Sequence, residues 1–151
     1  MLLEPGEAAT DPLALAARIE TGSKAETEIW FVAEERTALH GYVYGRRGTA
    51  RRNRHSLYLV MAVRKAMWGR GIASGLLETI ERWAASAGIH RLELTVIASN
   101  ERAIGVYSRA GFLREGTRRH SLRVDAKYVD ELWMGKLLTP SSRSSDRHNP
   151  P

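Results

Sequence analysis

Val63-Arg64-Lys65-Ala66-Met67-Trp68-Gly69-Arg70-Gly71-Ile72-Ala73 is the stretch on which the reading of this chain turns. An apolar run, Leu57-Tyr58-Leu59-Val60-Met61-Ala62, precedes it, and Ser74-Gly75-Leu76-Leu77-Glu78-Thr79-Ile80-Glu81-Arg82-Trp83-Ala84 follows. The order is strand, glycine-bearing loop, helix. Glycines at 69 and 71 let the backbone approach a ligand with no Cβ in the way. The first N–H groups of the following helix lack intrahelical partners, and with the helix dipole behind them they favour an anion, phosphate above all. A bare Gly-x-Gly is also what a plain turn carries; the strand before it and the helix after it supply the context of a phosphate loop. It is not the G-x-G-x-x-G dinucleotide fingerprint, because Ser74 stands at the third glycine. Nor is it a P-loop, because no Gly-Lys-Ser/Thr follows.

Working outward, Ile72, Ala73, Leu76, Leu77, Ile80, Trp83, Ala84 and Ala87 recur at steps of three and four, which predicts a helix packed on a sheet and ended by Gly88. Arg91 to Ile97 alternates, with Leu92, Leu94 and Val96 on one face and Glu93 and Thr95 on the other. Strand, helix and strand should form a parallel, right-handed unit. Upstream, Glu28–Glu34 and Leu39–Tyr44 read as a hairpin turning near Arg36-Thr37, and residues 45–54 as a glycine- and arginine-rich connection. The near-continuous apolar character of Ser56–Val63 predicts a strand buried on both faces. Downstream, Ser99–Gly111 reads as a capped short helix, Phe112–Gly116 as the start of a strand, Arg118–Lys127 as a polar connection and Tyr128–Leu138 as the last strand.

The ends read differently. Residues 1–27 form a lead-in with a short helix, capped by Asp11-Pro12 and ended by Gly22. Residues 139–151, rich in Ser, Pro and charge, are expected to be disordered. The unit between them, 28–138, is one domain, and the 151 residues suffice for a real core.

Hydrophobic residues make up 43% and charged residues 26%, an ordinary globular balance. There is no cysteine, which excludes disulfides and thiolate chemistry. No apolar run approaches the ~20 residues of a membrane span, and Met1-Leu2-Leu3-Glu4-Pro5-Gly6 is too acidic for a signal peptide, so a cytoplasmic location without membrane contact is expected. The net charge of +6 is concentrated in Arg46, Arg47, Arg51, Arg52 and Arg54, in Arg118 and Arg119, and in the tail. No aromatic residues interleave with the 46–54 cluster, so no nucleic-acid stacking platform is indicated; solvated charge, or attraction of an anionic substrate, is the reading.

Asn100 and Tyr107, seven apart, share one helix face two turns apart. Asn100 suits an N-cap and Tyr107 a packed ring; equally, a phenol near the end of a parallel strand can donate a proton.

The two motifs together resemble those of the GNAT superfamily of acyl-CoA-dependent N-acetyltransferases. The family's cofactor loop, Gln/Arg-x-x-Gly-x-Gly/Ala, stands here as Trp68-Gly69-Arg70-Gly71-Ile72-Ala73. Its second signature, Asn-x-x-Ala-Ile-x-x-Tyr-x-x-x-Gly-Phe, is complete in Asn100, Ala103, Ile104, Tyr107, Gly111 and Phe112. The resemblance covers roughly residues 28–138. It implies an α/β (α+β) GNAT fold: a mixed six- to seven-stranded sheet whose central parallel strands splay apart, flanked by helices. Acetyl-CoA, with no metal, would lie in the splay. Its pantetheine arm would pair with Met61, Ala62 and Val63, and its pyrophosphate would sit on Gly69, Arg70, Gly71, Ile72, Ala73 and Ser74. Asn100 would contact the cofactor, and Tyr107 would protonate the departing thiolate. The implied reaction is direct N-acetylation of a small-molecule amine (an amino acid, polyamine or antibiotic-like amine). A protein or peptide acceptor and an acyl-CoA sensor are the rivals. Glu93, His55 and Glu34 are the candidate bases.

Three departures from the family pattern stand out. Trp68 replaces the Gln/Arg, which removes that contact. Thr95 stands where ribosomal-protein N-terminal acetyltransferases carry a glutamate. The usual first strand and helix look abbreviated. The resemblance also implies a homodimer through the C-terminal strands, with Trp133 at the interface, while Asp130 and Glu131 are either attractors of a cationic acceptor or edge-strand solubilisers.

Overall fold

The computed structural model describes residues 27–139. The expected N-terminal helix and C-terminal tail lie outside the described residues. Within them the chain runs β1 (Glu28–Glu35), β2 (Ala38–Arg47), β3 (Ser56–Val63), α1 (Ile72–Ser86), β4 (Arg91–Ile97), α2 (Glu101–Arg109), β5 (Leu113–Val124) and β6 (Lys127–Leu137). A single 3₁₀ turn, Lys65–Met67, joins β3 to the glycine loop. The six strands form one sheet in the order β1-β2-β3-β4-β6-β5.

Every neighbouring pair is antiparallel except β3 and β4, the two strands joined by α1. That parallel pair is short. It registers Ser56 with Arg91, Leu57 with Leu92 and Tyr58 with Glu93, and then stops. Beyond this point β3 stays paired with β2 as far as Val63↔Gly41, and β4 with β6 as far as Ile97↔Glu131. The sheet therefore consists of two intact three-stranded halves that meet at the start of β3 and β4 and part toward their C-terminal ends.

Both helices cover the same face. Lys136 on β6 donates to Glu81 Oε2 on α1 (2.7 Å) and to the Ala110 carbonyl at the end of α2 (2.6 Å), tying the two together beneath the sheet. The core lies there: Leu57, Leu59, Leu92, Leu94 and Met134 pack under Leu76, Leu77, Ile80 and Ala84 of α1 and Tyr107 of α2. Burying each of the large aliphatic side chains is worth roughly 1.5–3 kcal/mol. Strand β3 is buried on this face alone: Leu57 and Leu59 are buried, whereas Tyr58 is half-buried and Val60 exposed. The expectation of burial on both faces is thus corrected among the described residues, because both helices cover one face and leave the Tyr58–Val60 face without one.

The expected connection over Arg118–Lys127 is also corrected. Strand β5 continues to Val124, and only Asp125 and Ala126, both at positive φ (47° and 62°), turn the chain into β6. Edge strand β5 is exposed along most of its length, so it carries no apolar alternation to reveal it. The two-residue turn lacks the Asn-Gly or Asp-Gly that marks such hairpins.

Close approach positions α1. A Cβ on Gly41 of β2 would lie 2.9 Å from the Ala62 carbonyl oxygen and 3.4 Å from Ile72 Cγ2. Only glycine fits against the β3 backbone at this point, under the first residue of α1. Replacing it (Gly41→Ala) should lower stability by about 1–3 kcal/mol, since backbone has to shift. Urea unfolding measures this; an unchanged midpoint would contradict the contact.

Candidate functional site

The glycine loop lies where β3 leaves the sheet. Gly69 and Gly71 both take the left-handed conformation (φ 77° and 78°), and nothing lies within 4 Å of where their Cβ atoms would be. The glycines therefore serve φ and an open surface rather than internal packing. Gly71 is the N-cap of α1 and offers no side chain, so no protein side chain caps the first turn. Arg64, Lys65 and Arg70, which precede the helix start in the chain, are exposed, as is Arg102, whose guanidinium lies over Trp68.

Trp68 is not idle. Its indole N–H donates to the Val63 carbonyl (2.9 Å), and the Arg102 guanidinium lies over its ring, 4.6 Å from the centroid. In place of the Gln/Arg, Trp68 ties the loop to the end of β3 on one side and to the first turn of α2 on the other. A guanidinium over an indole is a favourable cation–π arrangement.

The punctuation of α2 fixes Tyr107. Asn100 caps the helix, its Oδ1 accepting from the Ala103 N–H (3.1 Å). At the other end Gly111 takes φ 88°, the Gly111 N–H donates to the Ser108 carbonyl and the Phe112 N–H to the Tyr107 carbonyl (both 3.0 Å). This is a Schellman stop, and its usual apolar contact is made by Phe112, whose ring meets Tyr107 edge-on at 5.9 Å. The second signature is thus a start signal, a stop signal and the ring that the stop signal braces. Tyr107 is buried, and burial, reinforced by the Tyr58 phenol, pushes its pKa up to about 12. Its phenol stays protonated at neutral pH.

Tyr58 marks where the parting of β3 and β4 begins. It belongs to the last β3–β4 pair, and its hydroxyl shares a 2.8 Å hydrogen bond with Thr95 Oγ1 across the opening. The Trp133 ring lies beside it, 6.0 Å between centroids. Tyr58 was not singled out from sequence; its place at the end of a parallel register is a tertiary fact.

Of the candidate bases, Glu93 lies at the parting as the register partner of Tyr58, and His55 and Glu34 lie away from it. His55 precedes β3, at the end of the sheet opposite the glycine loop and, at strand geometry, about 25 Å from it. Its carbonyl accepts from the His90 and Arg91 N–H groups, which closes the start of the parallel pair. Glu93 Oε2 accepts from Arg91 Nε (2.9 Å), and the Arg91 fork also holds Glu115, whose carboxyl it keeps below the usual carboxylate range. Glu34 is exposed on edge strand β1. Met61, Ala62 and Val63 line the parted edge of β3, and Ile72, Ala73 and Ser74 form the first turn of α1, so the expected cradle is contiguous. Among the described residues no group of three His, Asp or Glu side chains is placed to hold a metal ion, and no helix is long and apolar enough to cross a membrane.

The site is thus a mixed sheet parted at its one parallel pair, with a glycine-lined helix start beyond the end of β3 and a tyrosine braced by the stop of α2. The acetyltransferase (GNAT) family profile matches residues 4–112, and the chain belongs to that family. The L-amino acid N-acetyltransferase AaaT of Escherichia coli (strain K12) is 41% identical over 70 residues, 45% of this chain and 43% of that protein, so the match spans less than half of that relative's length. A GNAT-family acetyltransferase from Streptococcus pneumoniae superposes with a TM-score of 0.82 at 28% identity, over 87% of this chain and 79% of that one. A ribosomal-protein-alanine N-acetyltransferase from Brucella melitensis does so with a TM-score of 0.79 at 25% identity, over 87% and 82%.

The raised pKa of Tyr107 has a stability consequence. An unfolded phenol titrates near 10, so between about pH 10 and 12 the folded chain keeps a proton that the unfolded chain has lost. The stability is fully present below about pH 10 and declines by up to roughly 2–3 kcal/mol as the pH rises through that window. The Tyr107→Phe variant should show a correspondingly shallower decline in urea-unfolding free energy over the same window; an identical decline would mean that Tyr107 is not held protonated by the fold.

Proposed function

We propose that this chain transfers the acetyl group of acetyl-CoA to a primary amine of a small molecule. The observation that carries the reading is the end of β3–β4 pairing after Tyr58 and Glu93. It leaves the edge of β3 from Leu59 to Val63 without a partner strand, and backbone groups so exposed seek partners. An amide-bearing pantetheine arm supplies them. The open, positive-φ glycines and the first N–H groups of α1 fit the pyrophosphate, and the surrounding arginines fit its charge. The Val63 carbonyl already accepts from the Trp68 indole and has a second lone pair to offer an arm.

The chemistry is direct attack. The cleft holds the amine nitrogen against the thioester carbonyl carbon; a C–N bond forms and the C–S bond breaks. Such positioning alone supplies several kcal/mol. Tyr107 donates its phenolic proton to the leaving sulfur. The amine proton passes to water on the sheet face where Tyr58 and Thr95 share their hydrogen bond, and the phenol regains a proton from solvent. The products are the N-acetyl amine and CoA thiol. The L-amino acid acetyltransferase relative supports a small acceptor. The Brucella structure favours a second reading, a protein N-terminus as acceptor.

Replacing the acid (Tyr107→Phe) should lower kcat by about 10²–10⁴ while leaving the dissociation constant for acetyl-CoA within about twofold, since the ring and its Phe112 contact remain. Thiol release in steady state and a direct binding titration separate the two. Full turnover in this variant would contradict the role of the phenol.

A further inference from the structure

The sheet face opposite the helices carries a charged group in an unusual place. Glu131 on β6 is only 5% exposed, the one buried charged residue among those described. Its Oε2 accepts from Arg118 Nη1 of β5 at 3.2 Å, and Arg118 is itself half-exposed (side chain 51%). A buried carboxylate without a partner is costly, so the pair holds both side chains in place. Yet this contact uses one N–H of a planar fork that carries five. Among the described residues Arg118 has no second side-chain partner. The rest of its fork is open to solvent. Arg118 is also the last β5 residue in register before the ladder is interrupted, with residues 119–121 intervening before Leu122 pairs with Val129 and with His120 at φ 51°. A bulge of this kind re-aims the strand next to it.

The position of this pair relative to the cleft follows from the register. Glu131 lies opposite Ile97 and Trp133 opposite Thr95, so Glu131, Trp133 and Thr95 share a face with Tyr58, whose hydroxyl meets Thr95. From Thr95 to Glu131 is one strand across and two residues along, roughly 8 Å between backbones at standard sheet spacings. Arg118 is one strand further, roughly 12 Å from Thr95 between backbones, and its side chain reaches back toward β6 to meet Glu131 on the same face as Trp133 and Thr95.

We infer that Arg118, positioned by the buried Glu131, binds a carboxylate of the acceptor, so that the substrate class is amino acids: an amine to be acetylated at Tyr58 and Thr95, and a carboxylate on the Arg118 fork. This rests on the acetyltransferase reading given above and adds to it the group that selects the acceptor. Arg118 contacts substrate, whereas Glu131 is a positioning residue that acts through it.

The test compares three forms of each acceptor: a panel of L-amino acids, their methyl esters and their decarboxylated amines, assayed by CoA thiol release. A control titration measures acetyl-CoA binding. The wild-type chain should use the acid with a kcat/KM at least about tenfold above that of the ester or the decarboxylated amine, the usual scale of one charge-assisted contact. In Arg118→Ala the preference for the acid should vanish through a raised KM, and the acetyl-CoA titration reports whether the variant is still folded. Arg118→Lys keeps a cation for Glu131 without the planar fork, so it should retain the fold and lose most of the preference. Glu131→Gln should raise KM for the acid and spare kcat. Equal use of acid and ester by the wild-type chain, or a preference that survives in both Arg118 variants, would overturn the inference while leaving the acetyltransferase reading intact. Absence of acetyl-CoA binding would overturn that reading, and this inference with it.

Discussion

The structure depends on one interrupted interaction, the hydrogen-bonded pairing of β3 with β4. Two antiparallel halves, β1-β2-β3 and β4-β6-β5, satisfy their own backbones almost completely. They touch through three registered residue pairs. Had the parallel ladder continued, the sheet would be closed and there would be no cleft. Its early end leaves polar backbone on β3 that ladder bonds no longer satisfy, and the groups nearest the gap respond to it. Tyr58 bridges to Thr95 just past the last pair, and the Trp68 indole takes up the Val63 carbonyl. The helices keep the halves together from one side: Lys136 reaches both α1 and α2, and the core lies beneath them.

What enters the gap is determined by how the helices begin and end. Helix α1 starts on Gly71 with no capping side chain, and α2 starts on the Asn100 cap. Both end in the same way, with a positive-φ glycine (Gly88 and Gly111) followed by an apolar residue whose N–H reaches back to Ala84 and Tyr107 respectively. In α2 this stop has a chemical consequence. It seats Phe112 against Tyr107, so the aromatic ring is braced and its phenol is kept out of water and protonated. The spacing of Asn100, Tyr107, Gly111 and Phe112 is therefore that of a short helix with both ends specified.

Much of this was legible in the sequence, because local chemistry determined it. The glycine loop needed two positive-φ positions, α1 showed its buried face at steps of three and four, β4 alternated, and α2 carried its own caps. What was not legible depended on partners remote in the chain. Strand β5 hid because an exposed edge strand has no apolar alternation and Asp125-Ala126 is a weak turn signal. Trp68 read as a lost contact because Arg102, the cation over its ring, lies 34 residues further on and is brought near only by the crossover. His55 had a chemically suitable side chain, but strand direction carries it to the far end of the sheet; Glu93 does share the face of Thr95, opposite Tyr58, and its engagement by Arg91 was not visible in one strand. The Arg118–Glu131 pair needed the β5–β6 register, which no single-strand pattern contains.

The central claim is that the parted edge of β3 is a binding surface for an amide-bearing arm and that the glycine loop beyond it holds phosphate. Amide hydrogen exchange in the presence and absence of acetyl-CoA tests this directly. The account predicts that the amides of Val60–Val63 and Gly69–Ser74 exchange at least about tenfold more slowly with saturating acetyl-CoA, while those of β1 and the β5–β6 turn are unaffected. Unchanged exchange along β3 and the loop at a concentration where binding is otherwise detected would contradict it.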